Sequence, residues 1–172
     1  MSREKEGKDK GSNNEKIALA IVAIACLAGA FYLLNSVMAP REVVVDGLKI
    51  RYASEPRQDM KAALSSSIIR IEERTTAENS TANSGIAMMG AEVAYAIASR
   101  GKQVYVYEIA SDGQKYNCNE NTSWCSNPQV IIGTDGCNCM TTGQKIEIYG
   151  GQEFMFNNSV IVRGLVGMAL SG

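Results

Sequence analysis

The sequence predicts an α/β protein: one N-terminal transmembrane helix followed by one compact α/β sandwich domain with a mixed sheet and at least one βαβ crossover. Three observations carry that expectation. Ile17 to Met38 is 22 residues without a charge, long enough as a helix to cross a hydrocarbon core of about 30 Å. Beyond it, apolar runs of strand length alternate with helical periodicity, the order that builds a sheet covered by helices. The 133 residues after Ala39 are enough for one core but not for two.

Residues 1–16, MSREKEGKDKGSNNEK, are charged and without apolar periodicity, and are expected to be a disordered cytoplasmic tail. Residues 17–38 read as an uncleaved signal anchor. A cleaved leader would have a shorter apolar core and a small-x-small site, whereas here Val37-Met38-Ala39 runs straight into Pro40. Lipid attachment at Cys26 would not need the apolar run that continues through Leu34. Five cations precede the span (Arg3, Lys5, Lys8, Lys10, Lys16) and three follow it closely (Arg41, Lys49, Arg51). That bias sets the N-terminus in the cytoplasm and residues 40–172 outside it.

Within the domain, Val43-Val44-Val45 and Leu48-Lys49-Ile50-Arg51-Tyr52 flank Asp46-Gly47, the signature of a hairpin with a two-residue turn. Ser54-Glu55-Pro56 starts a short helix that ends at Ser65-Ser66-Ser67. Ile68 to Glu72 reads as a strand, Arg74 to Gly85 as a polar loop, and Ile86 to Arg100 as a helix with Ile86, Met89, Val93 and Ile97 on one face. Gly101 is its expected cap. Val104 to Ile109 is a strand, Ala110 to Pro128 a loop, and Val130 to Gly133 a strand covered on both faces. The alternation in Lys145 to Tyr149 predicts one wet face and a place near an edge. A last strand is expected at Val160-Ile161-Val162 and a short helix from Leu165 to Leu170.

The chain has no histidine, which excludes Ser-His-Asp and Cys-His nucleophiles and His-ligated zinc. With the five cations and four acids of the leader set aside, the domain keeps 12 Lys+Arg and 14 Asp+Glu. It has no basic cluster to bind nucleic acid.

Cys118, Cys125, Cys137 and Cys139 lie within 22 residues, and in an oxidising compartment they form disulfides that staple the 110–142 loop. A bond within Cys137-Asn138-Cys139 would close a very small ring, so each of these two is expected to pair with Cys118 or Cys125. The C-x6-C-x11-C-x-C spacing matches no common zinc knuckle. Zinc, iron–sulfur and thiol-disulfide chemistry therefore stand as alternatives, and no cofactor and no metal is expected.

Ser80, Thr81, Asn83, Ser84 and Gly85 precede a helix after a strand, a place where α/β sheets bind anions. No phosphate-loop pattern accompanies them, and any helix start needs polar caps. Asn79, Asn121 and Asn157 head N-x-[ST] triplets and are glycosylation candidates. Glu72, Glu73, Glu78 and Glu92 are charged residues around the first loop, to which no acid/base role is assigned.

These features predict a non-enzymatic, membrane-anchored binding or assembly subunit, with the lipid bilayer and a protein partner or second copy as its company. Lys10-Gly11 followed by Glu15 and an apolar helix resembles the processed end of a pilin. That likeness implies cleavage after Gly11 and a filament subunit, although Pro40 interrupts a helix that a pilin would carry on into its domain.

Overall fold

The protein is described from a computed structural model, which covers residues 7–38, 40–76, 80–118, 125–134 and 136–171, with the side chains of 7–16, 33–38 and 80 left aside. The chain divides into two units, Met1–Ala39 and Pro40–Gly172.

The first unit is one helix, α1 (Gly7–Met38). It starts well before Ile17, so residues 7–16 are helical where a disordered tail was expected. Adding a turn to an existing helix costs far less than nucleating one, and the long apolar segment supplies the nucleus. Every described side chain from Ile17 to Tyr32 is exposed. Among the described residues no helix is long and apolar enough to cross a membrane. The described side chains of α1 stop at Tyr32, and residues 17–32 span only about 24 Å of helix.

The second unit is a compact α/β domain. Its elements are β1 (Arg41–Val45), β2 (Leu48–Tyr52), α2 (Pro56–Ala63), β3 (Ile68–Thr75), α3 (Ser80–Ala98), β4 (Gln103–Ala110), β5 (Lys115–Tyr116), β6 (Val130–Gly133), β7 (Cys139–Thr142), β8 (Ile146–Tyr149) and α4 (Gln152–Ala169). The strands form one mixed sheet in the order β1-β2-β7-β8-β6-β3-β4-β5. Parallel pairing joins β3 to β4, β3 to β6, β6 to β8 and β2 to β7, while β1–β2, β7–β8 and β4–β5 are antiparallel. β3-α3-β4 is the expected βαβ crossover.

A single cluster of buried side chains lies between one face of the sheet and the helices. Ile50, Ile69, Ile71, Ile132, Met140 and Ile148 from the strands meet Met60, Met89, Val93, Ile97, Val162 and Val166 from α2, α3 and α4. Ile86, Met89, Val93 and Ile97 are all fully buried, the 3.6-residue stripe read from the sequence. The hairpin and α2 also form as expected. The Glu55 carboxylate accepts from the N–H groups of Arg57 and Gln58, capping α2.

Three expectations are corrected. Val160-Ile161-Val162 lies inside α4 rather than in a strand. Met155, Ser159, Val162, Val166 and Ala169 are buried at helical spacing, and that amphipathic period overrides the strand preference of three β-branched residues. Lys145 to Tyr149 does alternate between buried and half-buried, yet β8 sits mid-sheet between β7 and β6. The described helices pack on one face of this sheet, so the alternation in β8 separates that face from the opposite one and does not mark an edge; β6 is buried on both faces, as its apolar run predicts. The Arg74–Gly85 segment is mostly regular structure, because β3 continues to Thr75 and α3 begins at Ser80. β7 is an addition that the cysteine-rich context concealed.

Candidate functional site

The parallel strands β3, β4, β6 and β8 end along one edge of the sheet. Two polar groups have formed there, one on each face.

On the helix face, Glu73 stands beside its register partner Glu108, under α3 at Gly90. A Cβ at Gly90 would collide with the Glu73 carboxylate, so the glycine is what admits the carboxyl between helix and sheet. Burial, and after it the charge of Glu108, pushes the Glu73 carboxyl up to about 7. The Thr75 hydroxyl donates to Glu108 Oε1 at 2.5 Å. Chemically, the Glu73 carboxyl takes up and releases a proton near neutrality.

Gly90→Ala should therefore destabilise the domain by about 1–2 kcal/mol, where alanine in an unobstructed helix would stabilise by about 0.5–1 kcal/mol. The loss should shrink in the Gly90→Ala, Glu73→Ala double variant. Chemical denaturation of the four proteins of this cycle measures the coupling.

On the face opposite the helices, Tyr107 Oη donates to Glu72 Oε2 at 2.8 Å, and Arg74 Nε donates to Glu72 Oε1 at 2.7 Å. Arg74 Nη1 donates to Tyr149 Oη at 3.3 Å. Gly133 lies between Arg74 and Tyr149 in register, and both side chains close over it. Burial, then the bond to Glu72, raises the Tyr107 phenol well above its ordinary range. Tyr107 thus stays protonated and keeps donating.

The residues singled out in the sequence fall as follows. Ser80 begins α3, and Thr81 and Ser84 are exposed on it. Asn83 Oδ1 accepts from the Thr76 N–H at 3.0 Å, and Asn83 Nδ2 donates to the Thr76 carbonyl at 2.9 Å. This side chain substitutes for a strand partner and ties the end of β3 to the first turns of α3. Gly85 packs against Gln152 and Met155 of α4. Asn83 and Gly85 are thereby committed to the fold.

Asn79 and Asn121 lie outside the described residues. Asn157 is exposed on α4, but Ser159 of its triplet is fully buried. Glu78 also lies outside the described residues, and Glu92 accepts from Arg163 Nη1 at 3.0 Å.

The cysteines pair as Cys118–Cys125 and Cys137–Cys139, which corrects the expectation that each member of the second pair would bond to one of the first. The Cys137 and Cys139 Cα atoms are 5.2 Å apart, a normal span for a disulfide. The Cys139 N–H donates to the Cys137 carbonyl at 2.8 Å, a tight turn that brings the two side chains together. Cys26 is free. Among the described residues no group of three or more His, Cys, Asp or Glu is placed to hold a metal ion.

Sequence reasoning missed a cavity of about 320 Å³ between the hairpin, α2 and α4. Val43, Val45, Met60, Leu165 and Met168 supply much of its apolar lining, with Glu55 and Arg57 among its polar walls.

No family model matches the chain, and neither a curated protein nor a solved structure matches it.

Proposed function

We propose that the chain is a single-span, membrane-anchored subunit whose disulfide-bonded α/β domain lies outside the cytoplasm and serves in binding or assembly rather than catalysis. The observation that carries this reading is α1, which presents Ile17, Leu19, Ile21, Ile24, Leu27 and Phe31 to its surroundings on all sides. A helix apolar all round needs a nonpolar medium, and 17–38 is long enough in sequence to find it in a bilayer. Two disulfides in the second unit support an oxidising compartment, and a glycan on Asn79 or Asn121 would fit the same side. The apolar cavity between the hairpin, α2 and α4 favours a binding role.

The test uses the full chain in cells. After alkaline carbonate washing it should stay with the membrane pellet, and a protease that cannot enter cells should cut the second unit. Release into the wash, or a second unit untouched until the cells are broken, overturns the reading.

A further inference from the structure

The two edges of the sheet are built differently. On the β4 side, β5 is two residues long, pairs only with Glu108 and Ile109 and is followed by the Cys118–Cys125 bridge. Among the described residues β4 thus has no outer strand from Gln103 to Tyr107 and has no apolar cavity beside it. The other edge is β1, five residues with three consecutive valines. Among the described residues it pairs with β2 alone. Val43 is 37% and Val44 60% exposed. Natural sheets guard edges of that kind unless something pairs with them.

The turn fixes which backbone groups are free. Asp46 and Gly47 both have positive φ, +50° and +86°, as in a type I′ turn closed by the pair Val45 and Leu48. Val45, Val43 and Arg41 then direct their N–H and C=O groups to β2, and Val44 and Glu42 direct theirs outward. Val43 and Val45 also line the apolar cavity, so a strand added to β1 would lay its own alternate side chains over that cavity.

We propose that this edge pairs with the β1 of a second copy, antiparallel and centred on Val43, which deepens the assembly reading above by naming the partner. Charge and strand overlap together select the register. Centred on Val43, each Glu42 faces the Val44 of the other copy, no like charges meet and all five residues of β1 pair. Centring on Val44 opposes Glu42 to Asp46, and centring on Glu42 opposes the two Glu42 side chains, both unfavourable; centring on Val45 opposes no like charges but pairs only Val45 within β1. In the selected register Glu42 and Val44 form the hydrogen-bonded pairs, and the two Val43 residues form the close, non-hydrogen-bonded pair. The valines of each copy then cover the cavity of the other beside Leu165 and the exposed Met168.

The test is disulfide trapping in the full chain carrying Cys26→Ser, run in mild detergent and in phosphatidylcholine vesicles. Two Val43 Cα atoms would lie about 4.5 Å apart, within disulfide reach, and two Val44 Cα atoms about 8–9 Å apart, outside it. Val43→Cys should give a covalent dimer under mild oxidant at least roughly tenfold faster than Val44→Cys. Val44→Pro, which removes an outward N–H not used by β2, should abolish dimerisation in sedimentation while the circular dichroism melt stays within a few degrees. Equal trapping at both positions, a monomer throughout, a cross-link to a protein of another mass, or a Val44→Pro chain that still pairs overturns the proposal. Trapping in detergent is independent of the bilayer, so failure here is distinct from failure of the membrane placement.

Discussion

Arg74→Ala should destabilise the domain by about 3 kcal/mol, a loss of roughly 10 °C in melting temperature. The size follows from the environment of its partner. The Glu72 side chain is 7% exposed and Arg74 half exposed, so removing the cation leaves a buried carboxylate that accepts from the Tyr107 hydroxyl but has lost the charge of Arg74. Breaking a fully buried pair costs about 3–5 kcal/mol, and the exposure of Arg74 sets the expectation at the low end. Adding Glu72→Gln to Arg74→Ala should recover at least half of the loss, because a neutral amide still accepts from Tyr107 and needs no cation.

Arg51→Ala is the control. Arg51 Nε lies 3.3 Å from Glu42 Oε2, but both side chains are about 40% exposed, and the change should stay within about 0.5 kcal/mol. Urea titrations of the three variants decide the matter. Equal losses for Arg74→Ala and Arg51→Ala would show that burial of Glu72 is not what sets the cost.

Glu72, Arg74, Tyr107 and Tyr149 also show where sequence reading stops. The strand at Ile68–Glu72 was legible from its β-branched run, and the helix behind it from the spacing of Ile86, Met89, Val93 and Ile97, because both signals are local periodicities. Tyr107 and Glu72 are 35 residues apart and Arg74 and Tyr149 are 75 apart. They meet only because β4 lies on one side of β3 and, across β6, β8 lies on the other. Strand order is a long-range property, and no spacing in the chain encodes it.

The same reasoning separates the cysteine outcomes. That four neighbouring thiols would pair was legible from their number. Which pairs form depends on the turn at 137–139, where a backbone hydrogen bond sets the Cα separation. The polar segment before α3 was legible as a cap region. Its reading as a loop failed because Ser80, Thr81, Asn83 and Ser84 are weak helix formers that tertiary contacts hold in a helix: Asn83 to Thr76, and Gly85 against α4.

Stability should fall as pH rises from about 4.5 to 7, and Glu73→Gln should remove most of that fall. The Glu73 carboxyl, ordinarily near 4.5, is pushed up to about 7 in the folded domain by burial and by Glu108. The unfolded chain therefore releases this proton first. Between about pH 4.5 and 7 the folded state binds more protons, so the contribution of Glu73 is fully present below 4.5, declines across that window and is lost above 7. The fully unscreened shift would correspond to about 3 kcal/mol, and partial access of water to Glu73 lowers the expectation to about 2 kcal/mol. Glu73→Gln keeps the shape and has no proton to lose, so it should be the more stable protein at pH 8 by about that amount and close to the parent at pH 4.5. Glu108→Gln, which removes the second and smaller cause, should move the transition by less than Glu73→Gln does. Thermal melts of the three proteins at half-unit steps from pH 4 to 8 measure it. A parent curve parallel to that of Glu73→Gln would mean that the carboxyl under Gly90 is solvated and ionises as it does in water.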